Sequence, residues 1–287
     1  MENSEIKNFH NAYINADEKE LDRLWNEVAP KTLIKFFSAE YLPDGKNFSL
    51  ENISNNTIWL SSPKHFNDPL DCVINIDYHK LEDDMSKQIL SFLVGPLHTE
   101  EIVHSELYKQ FILNNEGQAF SELKQYCAKR RDSVYVSCFT ETENLYSLTM
   151  WAHYAKNHTG FCAEYAFDNV KDSVAFGCIP VFYTNDYSYK IYTNNINEDV
   201  QNVLTFAFTK SCDWQSEKEW RIAEIKDDLI YDGYAKRFTL PKRIYMGCRV
   251  SEKLKSDLKK ACEENKIELY QMKLKPGTYS LIATRII

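Results

Sequence analysis

The sequence predicts an α+β domain, in which a mixed, mostly antiparallel central sheet carries flanking helices and an inserted helical lobe. Predicted strands and short helices interleave without the regular strand–helix–strand rhythm of a doubly wound sheet, and no G-x-G-x-x-G loop is present. The 287 residues, 44% of them hydrophobic, suffice for a large core. With eight glycines and eight prolines the chain has no linker-like stretch and no internal repeat, so we expect one domain over residues 1–287.

Apolar residues spaced three and four apart predict the helices, and clusters of β-branched and aromatic residues predict the strands. The first elements are a helix over 16–28 that Pro30 ends, the strand LIKFF, the helix SLENISNN capped by Ser49, the strand TIWLSS and the turn HFNDPLD. Residues 80–131 then keep the helical spacing of apolar residues, which predicts a helical lobe inserted into the domain.

The second half of the chain returns to strands with helices between them. The helix NLYSLTMWAHYAKN follows the strand VYVSCF and is expected to end near Gly160 in a left-handed cap. The remaining elements are the strands FCAEYAF and CIPVFY, a helix over 198–210, the strands EWRIAEI and RIYMGC, the helix SEKLKSDLKKACEEN, and the strands KIELYQMKL and SLIATRI.

The charge and hydropathy of the chain argue against two classes of partner. A net charge of -8 and a pI near 5.5 leave no general surplus of Lys and Arg for sequence-independent binding of DNA or RNA, although a local basic groove stays open. No run of about 18 apolar residues predicts a transmembrane helix, and the polar start MENSEIKNFHNAYINADEKE is unlike a signal peptide. We therefore expect a cytoplasmic protein that does not bind a membrane.

The eight cysteines are spread along the chain without a C-x-x-C pair, and several lie in apolar runs such as YVSCF and RIYMGC. This distribution is typical of small apolar side chains in a reducing compartment, so neither disulfides nor a metal are expected. The sequence also lacks a Walker loop, a G-x-S-x-G elbow and a spaced His/Cys cluster, which argues against the common nucleotide hydrolases, serine hydrolases and zinc enzymes.

The stretch DWQSEKEWRI places several charges next to an apolar run that is typical of a buried strand. Because side chains alternate along a strand, Glu217, Glu219 and Arg221 are predicted on one face and Trp220 and Ile222 on the core-facing side. Two carboxylates on one strand face are close enough to act on one ligand and to shift each other's pKa. An ion-paired sheet face without a chemical role is the competing interpretation.

The helix MWAHYAKNHTG supplies a second group of candidates. Trp151, Tyr154 and His158 share one face of this helix, whereas His153 lies on another flank. A stripe of Trp and Tyr is more often core than ligand platform, and the two histidines are five residues apart, unlike the metal pair of an H-E-x-x-H motif. All four side chains are nevertheless candidates for contact with a ligand's ring or phosphate.

The turn HFNDPLD and the strand LIKFF add polar groups at the ends of strands. Asn67 or Asp68 can cap the turn, and Pro69 fixes its own backbone angle, which accounts for these residues without a functional role. Asp68 and Asp71 could instead face the same cleft as the glutamates. Lys35 is a single cation on an apolar strand, where it could contact a ligand phosphate or extend to the surface.

These stretches, taken in order, resemble the bacterial domain-of-unknown-function 2971 family (DUF2971). The resemblance rests on LIKFF, TIWLSSPKHFNDPLD, VSCFTE, MWAHYAKNHTGFCAEY and DWQSEKEWRI, and it covers about residues 33–225. It implies a bacterial cytosolic protein, but membership of this family implies no particular reaction.

A more distant resemblance is to the ADP-ribosyltransferases. Their NAD-binding cores run from an early strand with a polar residue, through a helix and a second strand, to a late strand with a catalytic glutamate. The arginine-specific branch has an E-x-E motif there, and Glu217-Lys218-Glu219 matches its spacing. The chain departs from the pattern in two places, because Lys35 stands where those enzymes have His or Arg, and no S-T-S motif follows.

This second resemblance implies NAD as the substrate, a protein or nucleic acid as a candidate acceptor, and a toxin or phage-defence effector as the setting. Glu219 would hold the ribose hydroxyl and stabilise the oxocarbenium-like transition state, and Glu217 would orient or deprotonate the acceptor. The other contacts would come from Trp151 or Tyr154 stacked on nicotinamide and from Lys35 or Arg221 at the pyrophosphate.

Two further hypotheses stay open. In a Mg²⁺-dependent nuclease or phosphodiesterase, the oxygens of Asp68, Asp71, Glu217 and Glu219 would gather the divalent ion. In a non-catalytic sensor or partner-binding module, the charged strand would be an ion-paired sheet face, and the lobe over 80–131 would contact another protein.

Overall fold

A computed structural model describes residues 3–73, 121, 125, 128–167, 177–185, 203–226 and 232–287. The predicted lobe over 80–131 lies almost entirely outside these ranges, as does the first part of the helix predicted over 198–210. None of the helices within the ranges combines the length and the apolar composition that crossing a bilayer requires.

The α-helices that lie wholly within the described ranges are α1 (Asn3–Ile14), α2 (Glu18–Glu27), α3 (Phe48–Asn55), α4 (Leu148–Tyr154) and α5 (Glu252–Asn265). Helix α1 was not predicted, because its apolar spacing is weak. The predicted cap of α3 is wrong. The carboxamide oxygen of Asn47, two residues before Ser49, accepts from the backbone N–H groups of Ser49 and Leu50.

The strands are β1 (Thr32–Phe37), β2 (Thr57–Ser61), β3 (Val134–Glu141), β4 (Phe161–Ala166), β5 (Cys178–Pro180), β6 (Phe182–Tyr183), β7 (Thr209–Lys210), β8 (Glu219–Ile225), β9 (Gly233–Arg237), β10 (Arg243–Met246), β11 (Glu268–Leu274) and β12 (Leu281–Arg285). The stretch CIPVFY, predicted as one strand, is divided at Val181 into β5 and β6, which belong to different sheets. The last two residues of the helix predicted over 198–210 form β7 instead.

Ten of these strands form one sheet in the order β12-β11-β10-β4-β1-β3-β2-β9, with β8 on β3 and β5 on β8. Within the described strands of this sheet, β10 and β11 are the only parallel pair. Strands β6 and β7 form a separate parallel pair. A mixed, mostly antiparallel sheet with flanking helices confirms the predicted α+β class.

Strands β1 and β2 pair with different parts of the same edge of β3. Strand β1 pairs with the end of β3, where Ile34 is opposite Thr140, whereas β2 pairs near its beginning, where Ser61 is opposite Val136. The other edge of β3 is paired with β8 over seven residues. Strands β1 and β2 therefore separate beside residues 137–139, and the cavity described below lies there.

The core packs helices α1 and α2 against the far side of β8. The ring of Trp220 contacts Phe9 and Trp25 at centroid distances of 5.5 and 5.3 Å, as expected for the core-facing side of that strand. The predicted left-handed cap at Gly160 is wrong, since residues 156–158 adopt positive φ instead. Gly160 is required by close packing, because a Cβ there would lie 2.0 Å from the carbonyl oxygen of Phe37.

Candidate functional site

The two glutamates of the E-x-E sequence occupy different backbone elements. Residues Cys212–Glu217 form a 3-10 helix, Lys218 has left-handed backbone angles (φ 45°, ψ 52°), and β8 begins only at Glu219. The prediction that Glu217 lies on the strand is therefore wrong. Its backbone carbonyl is held by the side chains of Thr140 and Asn144, which fixes the end of the turn.

The carboxylates converge in spite of this break, because both bind Lys210. The ammonium of Lys210 lies 2.6 Å from Glu217 Oε2, 3.1 Å from Glu219 Oε2 and 3.7 Å from Asp71 Oδ2. All four side chains are buried, and the ammonium also lies 4.8 Å from the ring centroid of Trp214. A buried cation thus joins strand β7, the 3-10 helix, β8 and the turn after β2.

Arg221 forms a second, fully buried layer behind Lys210. Its guanidinium donates to both oxygens of Glu219 at 2.9 Å and to both oxygens of Asp71 at 2.8 and 2.7 Å. A further bond reaches the carbonyl oxygen of Ala207 at 2.8 Å. Such two-point contacts are the strongest charge-assisted hydrogen bonds, and they fix the orientation of both carboxylates.

Two tyrosines complete the support of the glutamates. Tyr154 Oη, from α4, donates to Glu217 Oε1 at 2.5 Å, and the backbone N–H of Glu219 donates to Tyr183 Oη at 2.8 Å. Burial raises the pKa of both phenols, and the neighbouring glutamates add to the effect, so both hydroxyls remain protonated.

The environments of Glu217 and Glu219 drive their pKa values apart. Burial raises the pKa of Glu217, and Lys210 only partly opposes this. Burial acts in the same direction on Glu219, but Arg221 and Lys210 together outweigh it and lower the pKa to about 2. Adjacent carboxyl groups with separated pKa values are a typical acid–base arrangement.

The glutamates form part of the wall of a cavity of about 620 Å³ in the divided sheet. This volume is within the usual range for small-molecule sites. Lys210, Asp71 and Thr140 lie beside the two glutamates, and the turn after β2 and helix α4 contribute Asn67, His153 and Tyr154. The aromatic part of the wall consists of Phe36, Phe37, Phe48, Trp59, Phe66 and Phe139.

Lys35 lies where β1 leaves β3. Its ammonium donates to the backbone carbonyl of Cys138 at 3.1 Å and lies within 6 Å of the ring centroids of Phe37 and Phe139, at 5.7 and 5.4 Å. Burial lowers its pKa, while Cys138 and Glu219 act in the opposite direction. With partners in the described part of the chain, the ammonium makes this one hydrogen bond to a neutral carbonyl, which leaves donor capacity on a group that lines the cavity.

The predicted site residues therefore fall into two groups. Lys35, Asn67, His153, Tyr154, Glu217 and Glu219 line the cavity. The other four do not: Arg221 lies behind Glu219, Asp68 accepts from Trp214 Nε1 at 2.7 Å, Trp151 is fully buried with its Nε1 bonded to the carbonyl of Leu145, and His158 stacks on Trp151 beside Arg249.

Lys210 was not among the predicted site residues, because the sequence around it has the pattern of a helix end. A signal was present, since a lysine at the end of an apolar segment, followed within ten residues by two glutamates, could pair with them. Tyr183 carried no comparable signal. Its contact with the backbone of Glu219 depends on the pairing of β6 with β7.

The described carboxylates form an ion-pair network. Among the described residues, no group of three or more His, Cys, Asp or Glu side chains has an arrangement that could hold a metal ion. The position between Asp71, Glu217 and Glu219 that a divalent cation would need is taken by the ammonium of Lys210.

The sequence comparisons identify one segment of this site. Residues 150–222 match the family model described as a protein of unknown function (DUF2971). The matched segment runs from α4 into β8, so it includes Tyr154, Lys210, Glu217, Glu219 and Arg221. No curated protein and no solved structure gave a match to the chain.

Proposed function

We propose a function from the cavity itself, because the DUF2971 family model that residues 150–222 match is described without an activity. The proposed reaction is cleavage of the N-glycosidic bond of a nicotinamide nucleotide such as NAD. The observation that carries this proposal is the pair Glu217 and Glu219, two carboxyl groups of opposite pKa shift in one cavity wall.

The chemistry requires a fixed negative charge near the ribose. When the bond between ribose C1′ and the ring nitrogen breaks, its electron pair leaves with nicotinamide and C1′ becomes cationic. Glu219 remains ionised across the neutral range, and Arg221 immobilises it, so it can stabilise this charge without reorganising. The network holds three carboxylates, Asp71, Glu217 and Glu219, against two cations, Lys210 and Arg221.

Glu217 has the properties of the base in the second half of the reaction. Its raised pKa brings it closer to neutral pH, where a carboxylate can accept the proton of an attacking water or acceptor nucleophile. The new bond forms between that nucleophile and C1′, and the proton passes to Glu217 Oε1 or Oε2. Water as nucleophile gives a glycohydrolase, and a protein or nucleic acid as nucleophile gives an ADP-ribosyltransferase.

The remaining wall suits the rest of a dinucleotide. Lys35 has free donor capacity for a phosphate oxygen, and the aromatic wall offers faces on which planar rings can stack. The Mg²⁺-dependent alternative has less support, because Lys210 holds the carboxylate oxygens that the ion would need.

Consumption of NAD would harm the cell that contains the protein, which fits the proposed setting of a toxin or phage-defence effector in the cytoplasm. Expression of the wild-type chain is then expected to lower cellular NAD and to stop growth. Expression of Glu219→Gln at the same level is expected to do neither.

The direct test is release of nicotinamide from NAD by the purified chain, followed by chromatography. We expect turnover by the wild type and a loss of about 100-fold or more in Glu219→Gln, because a positioned charge that stabilises a transition state contributes on that order. Glu217→Gln should lose about 100-fold as well, in line with the usual contribution of a general base.

Glu164→Gln is the matched control. Glu164 is also a buried glutamate, bonded to Arg243 and Tyr245, but it lies outside the cavity wall. This variant should keep its activity if the effect of Glu219→Gln is catalytic rather than a general loss of a buried ion pair. No nicotinamide release by the folded wild type, with water or with cell lysate as acceptor, would contradict the proposal. Binding of NAD without release would instead support the sensor hypothesis.

A further inference from the structure

Lys210 contacts both glutamates, and among the described residues it is the only cation that does so. Its ammonium reaches Glu217 Oε2 at 2.6 Å and Glu219 Oε2 at 3.1 Å, whereas the guanidinium of Arg221 contacts Glu219 and Asp71. The side chain of Lys210 is only 4% exposed, so these contacts are not weakened by solvent as surface ion pairs are.

The pair of strands β6 and β7 positions Lys210 and also holds Glu219. Strands β6 and β7 pair so that Tyr183 is beside Lys210. Tyr183 Oη accepts the backbone N–H of Glu219, and Lys210 Nζ binds its carboxylate. The pair of strands β6 and β7 therefore holds both the backbone and the carboxylate of Glu219. The ring centroid of Trp214 lies 4.8 Å from the ammonium of Lys210.

We propose that Lys210 is a positioning residue, which holds the carboxylates of Glu217 and Glu219 side by side in the cavity wall. Two carboxylates this close would otherwise repel each other, and they would separate or share a proton. The role in catalysis rests on the proposed function, whereas the positioning itself does not.

Other charged and titratable groups near the ammonium of Lys210 also affect the pKa values of Glu217 and Glu219. Arg221 lies on β8 behind Glu219, and Asp71 lies on the turn after β2. Among the described residues, the charged and titratable groups that act on the two carboxylates include Lys35, Asp71, Cys138, Tyr154, Tyr183, Lys210 and Arg221. Removal of Lys210 leaves Arg221 as a partner of Glu219, so Glu217 should respond more strongly than Glu219.

The test is a titration of the glutamate side-chain carboxyl carbons by ¹³C NMR in the wild type and in Lys210→Met, which keeps an apolar stem and removes the charge. The signals of Glu217 and Glu219 are assigned by their loss in the two Glu→Gln variants. Loss of a cation within 4 Å should raise the pKa of Glu217 by about one unit or more.

Lys218→Met is the matched control. This lysine lies between the two glutamates in sequence, but its side chain is 45% exposed and pairs with Glu141 and Glu143 on the surface. It should leave both titrations within about 0.3 units, as expected for a solvent-screened charge. A Lys210→Met protein that is folded and titrates like the wild type would overturn the proposal.

If Lys210→Met does not fold, the ¹⁵N signal of the wild-type Lys210 ammonium decides the question. A positioning contact to both carboxylates predicts that this signal moves in Glu217→Gln and again in Glu219→Gln, and a signal unmoved in both overturns the proposal. Neither measurement needs turnover, so a positive result without nicotinamide release would reject the proposed function and keep the positioning role. With turnover, Lys210→Met should lower kcat more than it changes KM.

Discussion

Arg221 and Asp71 form a two-point ion pair between residues 150 positions apart in sequence, with Nη1–Oδ1 and Nη2–Oδ2 distances of 2.8 and 2.7 Å. The pair joins β8 to the turn after β2. Because Asp71 also lies 3.7 Å from Lys210, the turn and the two glutamates are held in one buried network.

Asp71→Asn should strongly destabilise the protein. Removal of one partner leaves a buried guanidinium with reduced compensation, which typically costs about 3–5 kcal/mol. Urea denaturation would measure the change. Asp68→Asn is the control on the same turn, since its half-buried carboxylate bonds Trp214 and the amide keeps an oxygen acceptor, so a loss below about 1 kcal/mol is expected. Equal effects of the two variants would contradict the importance of the Arg221 pair.

The stability of the protein should fall as the pH decreases from about 4.5 to about 2. The pKa of Glu219 is lowered from 4.5 to about 2 in the folded state, so the unfolded chain takes up the proton first as the pH falls. The contribution of Glu219 is therefore complete above pH 4.5 and is lost towards pH 2.

Urea denaturation at a series of pH values measures this dependence. Glu219→Gln should show a shallower fall over that range than the wild type. Glu217→Gln should not reduce the fall, because the pKa of Glu217 is shifted in the opposite direction. Parallel curves for the wild type and Glu219→Gln would show that this carboxylate is not held ionised by its partners.

The left-handed backbone at Lys218 predicts opposite responses to two substitutions. Glycine adopts positive φ without steric cost, whereas a β-branched residue there is strained by about 1–2 kcal/mol. Thermal unfolding should therefore show Lys218→Gly near the wild type and Lys218→Val clearly less stable. At Lys226, an exposed residue outside the positive-φ positions, the two substitutions should not differ in this way. The same order at both positions would argue against strain as the cause.

Tyr154→Phe should alter the acid limb of the proposed NAD cleavage. The Tyr154 hydroxyl donates to Glu217 Oε1 and favours its ionised form, so its removal raises the pKa of Glu217 further. The acid limb of kcat against pH should move upward by about one unit, as expected when a hydrogen bond to the ionised form of the base is removed. Tyr146→Phe, at a half-exposed position before α4, should match the wild type. An unchanged acid limb in Tyr154→Phe would contradict the role of Glu217 as base.

Several elements were predictable because their signals are local. The pattern of EWRIAEI predicts a strand with Trp220 in the core, and the spacing in SEKLKSDLKKACEEN predicts helix α5, and both are present. The wrong predictions concern local sequence signals that fit two different structures. Asn47 and Ser49 can both cap a helix, and a glycine near a helix end suits a left-handed cap as well as close backbone packing.

By itself, the sequence determined the α+β class and most strands and helices, since hydrophobic periodicity and turn chemistry act over a few residues. Tertiary structure alone decided that Lys210 and Arg221 pair with Asp71, Glu217 and Glu219, that Trp151 and His158 lie outside the cavity wall, and that the sheet opens beside Cys138. Strand pairing between segments 79 to 108 residues apart creates the framework for these contacts, and no local pattern encodes which partners meet.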